Sequence, residues 1–201
     1  MFPDYDAEAE KTGGYPYDGV DAAVLPPKLP VDASLKVVFV DFDGVLNGPL
    51  GGPDVWRVLP HSTYAMVMDR RCIAHLNEIT TTTEARIVVS SSWRFVLRHS
   101  MERFLKHIGV TGAYLAMTPL RGWKQRFSEH NTRGKEIEHW LRLFARVHGF
   151  LPANVAVLDD MDVSPLNSYA VYTRANVGLE AHHVGKAVKM LGRPFRFRVS
   201  P

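Results

Sequence analysis

The chain of 201 residues contains a single cysteine, Cys72, so no internal disulfide can form and the fold must rest on its core. Cys72 lies within the apolar pattern CIAHLNEI, where a small buried residue is expected rather than a nucleophile. No apolar run reaches the roughly 18 residues needed to cross a bilayer, which argues against a membrane protein. The opening residues are acidic and lack the basic-then-apolar order of a secretory leader, so a cytoplasmic location is expected. Internal repeats are absent. The nine histidines form no group with zinc-ligand spacing. Neighbouring side chains on a helix diverge, so His182 and His183 make a poor pair. His75, His99, His107, His139 and His148 are expected at helix surfaces or caps.

Acid is scarce in the body of the chain. Residues 1–34 hold seven acidic residues against two lysines, a net −5, which leaves 22 basic against 14 acidic residues, +8, in the remainder. A basic body attracts anionic ligands, from phosphate esters to nucleic acid. A solvated basic surface is the other reading of the same count. Hydrophobic residues make up 46% and charged residues 22%, as in an ordinary globular domain. A chain of this length forms one domain that buries roughly two-thirds of its unfolded surface.

Residues 1–34 combine Pro, Gly, Asp and Tyr without apolar periodicity and read as an acidic extended or disordered arm. The domain then runs over 35–201. Strands are expected at 36–41, 86–90, 154–158 and 169–173, short and mostly β-branched like buried parallel strands. Helices are expected at about 70–80, 94–107, 134–148 and 180–191. In the third of these, Ile137, Trp140, Leu141, Phe144 and Val147 recur at helical spacing and Gly149 supplies a stop. Strands alternating with helices predict right-handed crossovers, hence an α/β, Rossmann-like open parallel sheet with helices on both faces.

In such a sheet, chemistry gathers at the carboxyl ends of the strands. VVFVD ends at Asp41, RIVVS at Ser90, and VAVLDD at Asp159 and Asp160. One polar ending is explained by helix capping; three endings of complementary chemistry point to a site. Converging carboxylates need a cation, and hard oxygen ligands suit Mg²⁺ better than Zn²⁺. With Mg²⁺ present, one Asp can attack phosphorus. A second, Asp43, turned aside by Gly44, can protonate the leaving oxygen and then activate water. Ser90 and neighbouring N–H groups are suited to phosphoryl oxygens, and Arg133 or Lys135, at the start of a helix, to the charge developing on them. Ser91 and Arg94 are further candidates for substrate binding.

In order and character, DFDGVLN, VVSSSWR, RGKEIEHWL and VLDD resemble the four motifs of the haloacid dehalogenase (HAD) superfamily. SSSWR, the Thr118–Pro119 pair, LDD and the VGL at 177–179 are most similar to the HAD domain of Swiss Army Knife RNA repair proteins. The resemblance covers about residues 36–191. It implies an HAD-type phosphatase with Asp41 as the nucleophile forming an aspartyl-phosphate and Asp43 as general acid and base. Ser90 would contact the phosphoryl group. Mg²⁺ would be held by Asp41, the main-chain carbonyl of Asp43 and an acid of the Asp159/Asp160 pair. Arg133 matches the basic residue of the repair-like subgroup, and Lys135 the more usual lysine of the superfamily.

The segments at 47–70 and 109–132 leave room for only a minimal cap or none, so an open site is expected. The substrate would be a phosphate ester, extending to nucleotide or polynucleotide (RNA) ends. Arg94, Arg121, Trp123, Lys124 and Arg126 could line the approach, with Trp123 able to stack on a base; a basic loop with one partly buried Trp is the other reading. Trp93 reads as core or a site wall. A catalytically silent module of the same fold that binds nucleic acid or protein is the alternative. The intact acids at 41, 43, 159 and 160 argue against it. Sequence leaves the oligomeric state undefined.

Overall fold

A computed structural model describes residues 29–47, 67–95, 97, 100–119 and 132–197. The most central strand, β1 (Lys36–Val40), is KVVFV, whose β-branched and aromatic side chains suit a pleated surface covered on both faces. It is followed by α1 (Arg70–Thr83), β2 (Arg86–Val89), α2 (Met101–His107), β3 (Tyr114–Met117), α3 (Thr132–His148), β4 (Asn154–Asp159), β5 (Ala170–Tyr172) and α4 (Ala181–Leu191). The five strands pair in parallel in the order β3-β2-β1-β4-β5. The chain thus winds outward from β1 in one direction, then reverses through β4 and β5, and the crevice between β1 and β4 is the switch point.

Alternate strand residues feed two cores. Val37 and Phe39, with Val88, Val155 and Val157, pack against Ile137, Trp140, Leu141 and Phe144 of α3. Val38 and Val40, with Ile87, Val89, Ala156 and Leu158, pack against α1, α2 and α4. The apolar stripe read in α3 is therefore core. The Phe39 and Trp140 rings meet edge-on at 5.3 Å, and Trp140 stacks on Phe144 at 4.9 Å. Cys72 is buried among the second set.

Two element assignments are corrected. The helix expected at 94–107 is a short 3-10 turn at Ser92–Phe95 followed by α2 from Met101, because Arg94 turns inward onto backbone acceptors and the helix restarts after Ser100. Four-residue β3, absent from the expected strands, extends the sheet beyond β2. His148 is also not a surface residue: it is buried, and its Nδ1 accepts the N–H of Leu29 at 3.1 Å. Among the described residues no helix is long and apolar enough to cross a membrane. Residues 1–28 of the expected arm at 1–34, and most of the segments at 47–70 and 109–132 where a cap would be inserted (48–66 and 120–131), lie outside the described residues.

Candidate active site

The parallel ladder continues one step past the strands and builds the rim of the site. Thr118 N donates to Val89 O (2.9 Å), Ser90 N to Val40 O (2.9 Å), and Asp41 N to Leu158 O (3.0 Å). Extending the register of β1 with β2 and β4 places Ser90, Asp41 and Asp159 side by side at one pleat level. Residues level with one another in a parallel sheet point to the same face. Here that is the face of Val37 and Phe39, covered by α3, and α3 begins at this rim.

The first turn of α3 brings a cation to the switch point. Arg133 Nη1 lies 2.9 Å from Asp41 Oδ2 and 2.9 Å from Asp159 Oδ2, and its side chain is 13% exposed. Burial alone would lower the pKa of this guanidinium, but the carboxylates of Asp41 and Asp159 outweigh it and raise the pKa further. The remaining Asp41 oxygen accepts Phe42 N at 2.7 Å, and Asp159 Oδ1 accepts Met161 N at 3.0 Å. Burial pushes the Asp159 carboxyl upward against the pull of Arg133. Asp160 is raised by burial and by the charge of Asp41.

Asp43 sits in a different environment. Its carboxylate accepts Trp93 Nε1 at 3.0 Å on both oxygens and Asn47 Nδ2 at 2.5 Å. Asn47 is itself oriented, because its Oδ1 accepts Gly44 N at 2.9 Å. The turn is closed by the amides of Val45, Leu46 and Asn47, which all donate to Phe42 O. Gly44 has φ +72°, and a Cβ there would collide with the Asp160 carboxylate, so only glycine fits both the backbone and the space. Burial dominates the Asp43 pKa and raises it to about 6 despite the donors from Asn47 and Trp93. Two carboxyls one residue apart thus have opposed surroundings, one facing a guanidinium and the other held in an apolar wall by neutral donors.

The structure separates the other expected residues. Arg133 faces the carboxylates, whereas Lys135, two residues along the helix, is exposed on another side of α3. Ser90 is fully buried, and its Oγ has no hydrogen-bond partner among the described residues; the same holds for Thr118 Oγ1. Two further residues, expected to bind substrate, are held inside the fold. Ser91 is buried, and its Oγ accepts Trp93 N at 3.3 Å within the local turn. Arg94 does not line the approach: its side chain is 0% exposed, Nε donates to Thr118 O (3.1 Å), Nη1 to Ser90 O (2.6 Å) and Ser91 O, and Nη2 pairs with Glu136. Arg121, Trp123, Lys124 and Arg126 lie outside the described residues. Asn47 and Glu136 were not among the expected site residues, and Trp93, read as core or a site wall, is fully buried within the core. Asn47, three residues past Gly44, has the spacing of a local side-chain bond back to the main chain, but Trp93 meets Asp43 across 50 residues of chain.

Asp41, Asp159 and Asp160 offer carboxylate oxygens within 4.8 Å of one another. Burial raises two of the three, and among the described residues a single guanidinium lies beside them, so the set fits an additional hard cation held by oxygen. Mg²⁺, the usual metal of HAD proteins, matches that donor chemistry. Glu180, His182 and His183 also lie close together, with the two imidazole rings 3.8 Å apart rather than diverging. That group is occupied with capping α4: Glu180 N donates to His183 Nδ1 at 3.0 Å, and the Glu180 carboxylate takes Arg174.

No curated protein and no solved structure matches the chain significantly. Residues 37–184 match the family model described as the HAD domain in Swiss Army Knife RNA repair proteins. The match spans well over half of the chain and runs from β1 into α4, taking in every rim residue described above. The chain therefore belongs to this family and is a hydrolase of the HAD type.

Proposed function

We propose that the protein is a Mg²⁺-dependent phosphomonoesterase that works through an aspartyl-phosphate on Asp41 and acts on polynucleotide ends. The observation that carries the reading is the contrast between Asp41, paired with Arg133 at 2.9 Å, and Asp43, whose pKa burial raises to about 6. Pairs of carboxyls in opposed environments divide nucleophile from proton carrier. Asp41 Oδ attacks phosphorus as the bond to the leaving oxygen breaks, and the Asp43 proton passes to that oxygen. The Asp43 carboxylate then takes a proton from water as the water oxygen attacks the acyl phosphate, which frees inorganic phosphate and restores Asp41. Arg133 stabilises charge on the phosphoryl oxygens. Ser90 Oγ, buried without a hydrogen-bond partner among the described residues, has a donor to give to one of them.

Asp41, Asp159, Asp160 and the main-chain carbonyl of Asp43 would hold Mg²⁺, which supplies charge neutralisation and a template for the phosphoryl group. Both Asp159 oxygens already accept donors, from Arg133 and Met161, which makes Asp160 the more available ligand of the pair. The substrate class rests on the family description and on the +8 charge of residues 35–201, which favours a polyanion. A cytoplasmic enzyme fits the single, buried cysteine.

The test is release of p-nitrophenol from its phosphate ester with and without Mg²⁺, for the wild type and Asp41→Asn. Metal-dependent turnover that falls at least about 10³-fold in the variant is expected, followed by release of phosphate from a terminally phosphorylated oligoribonucleotide. Full activity of Asp41→Asn would sink the mechanism. Binding of RNA unchanged by EDTA, with no phosphate released from any ester, would favour the silent binding module instead.

A further inference from the structure

Arg94 is fully buried, and a buried guanidinium is costly unless its donors are well matched. Its acceptors come from three separate elements of the site. Ser90 O and Ser91 O follow β2, Thr118 O follows β3, and the Glu136 carboxylate belongs to α3. The planar fork of an arginine can serve such a divergent set at once, which the point charge of a lysine cannot. Glu136 lies three residues after Arg133, on the same side of the helix. Arg133 is only the second residue of α3, in a terminal turn that would otherwise fray.

From this geometry we infer that Arg94 is a positioning residue: through Glu136 it sets the first turn of α3 so that Arg133 reaches Asp41 and Asp159, and through the Ser90 carbonyl it fixes the strand end that carries the Ser90 hydroxyl. The functional part of this inference rests on the phosphohydrolase reading above. Arg94 itself touches no substrate. It acts by tying the ends of β2 and β3 to the helix that delivers the cation, so an error there is read at Arg133. A misplacement of about 1 Å at such a group costs on the order of 10²-fold in rate.

A strut that serves stability alone and one that positions Arg133 give different results when both charges are removed. Arg94→Met leaves Glu136 buried without its partner and should lower the melting temperature sharply. Arg94→Met/Glu136→Leu removes both charges and should recover most of that loss, because apolar replacement of a whole buried pair is often neutral or better. With p-nitrophenyl phosphate and Mg²⁺, the double variant is expected to keep KM within about threefold while kcat falls by roughly 10²-fold. In a crystal structure of that variant, Arg133 should be displaced from Asp41. A double variant that recovers both melting temperature and kcat, or that keeps Arg133 hydrogen-bonded to Asp41, overturns the inference.

Should the double variant fail to fold, Arg94→Lys keeps the charge but not the fork. Reduced kcat at unchanged melting temperature is expected from it, and wild-type kcat would overturn the proposal. The position of Arg133 in a crystal structure of either variant needs no turnover, so it still decides the inference if the wild type hydrolyses no phosphate ester. That last result would count against the phosphohydrolase reading alone.

Discussion

The Asp43 carboxyl is opposed by its surroundings, and its titration should be visible in both activity and stability. Burial raises its pKa from 3.8 to about 6, with the donors from Asn47 and Trp93 pulling the other way. As the general acid of the proposed reaction it must carry a proton, so kcat/KM for an alkyl phosphate should fall as pH rises through about 6. Asp43→Asn should lose roughly 10²- to 10⁴-fold on such a substrate. The loss should be smaller on p-nitrophenyl phosphate, whose leaving group needs little protonation. The stability effect has the opposite direction. A folded-state pKa above the unfolded one favours folding below pH about 4, and that contribution is lost as pH rises through about 6. At pH 8 the buried carboxylate therefore costs up to about 3 kcal/mol. In metal-free protein, Asp43→Asn should raise the urea midpoint at pH 8 by the equivalent of about 1–3 kcal/mol and leave it nearly unchanged at pH 4. An unchanged midpoint at pH 8 would mean that the carboxylate is as well solvated in the folded state as in the unfolded one.

One scale up, the amino end of α3 is held by backbone as well as by side chains. A Cβ at Gly134 would fall inside the contact distance of the Ser164 and Val163 carbonyl oxygens. Within a helix, Ala is ordinarily better than Gly by about 1 kcal/mol. Here the sign should reverse, and Gly134→Ala should cost about 2 kcal/mol or more in a urea melt. It should also reduce kcat, since Arg133 adjoins the displaced turn. A stabilised Gly134→Ala would show that the loop at 163–164 yields easily. The same helix shows what a sequence can and cannot disclose. Its stripe Ile137, Trp140, Leu141, Phe144 is visible because core burial imposes a 3.6-residue period, and β1, β2, β4 and β5 are visible as β-branched runs. The strand β3 is only YLAM, which has no β-branched residue to mark it as a strand. Asp41, Asp43, Ser90, Asp159 and Asp160 stand out because a polar residue after an apolar strand is itself a pattern. By contrast, the burial of Arg94 is not legible locally, because nothing there separates a basic residue facing a substrate from one facing Glu136, 42 residues away. Choosing Arg133 over Lys135 likewise required knowing which side of α3 meets the sheet.

Across the whole molecule, the topology gathers the acids at the switch point while the basic excess belongs to the body as a whole. The sequence between Thr118 and Arg133, both of which flank the rim, contributes Arg121, Lys124 and Arg126 to that excess. If the body recognises a polynucleotide beyond its terminal phosphate, binding releases counterions from each additional phosphate it neutralises. Affinity for single strands then falls with a log–log salt slope of about 0.7 per phosphate. With three or four phosphates engaged, KM for a terminally phosphorylated oligoribonucleotide should climb with a slope of about 2–3 between roughly 50 and 200 mM salt. KM for p-nitrophenyl phosphate, which presents a single phosphoryl group, should rise with a slope of about 1 or less. Equal slopes would confine recognition to the phosphoryl group that Asp41 is proposed to attack. That result would remove the charge argument for a polynucleotide end while leaving the proposed phosphatase chemistry intact, because the carboxylates, Arg133 and Ser90 at the rim do not depend on charges farther along the surface.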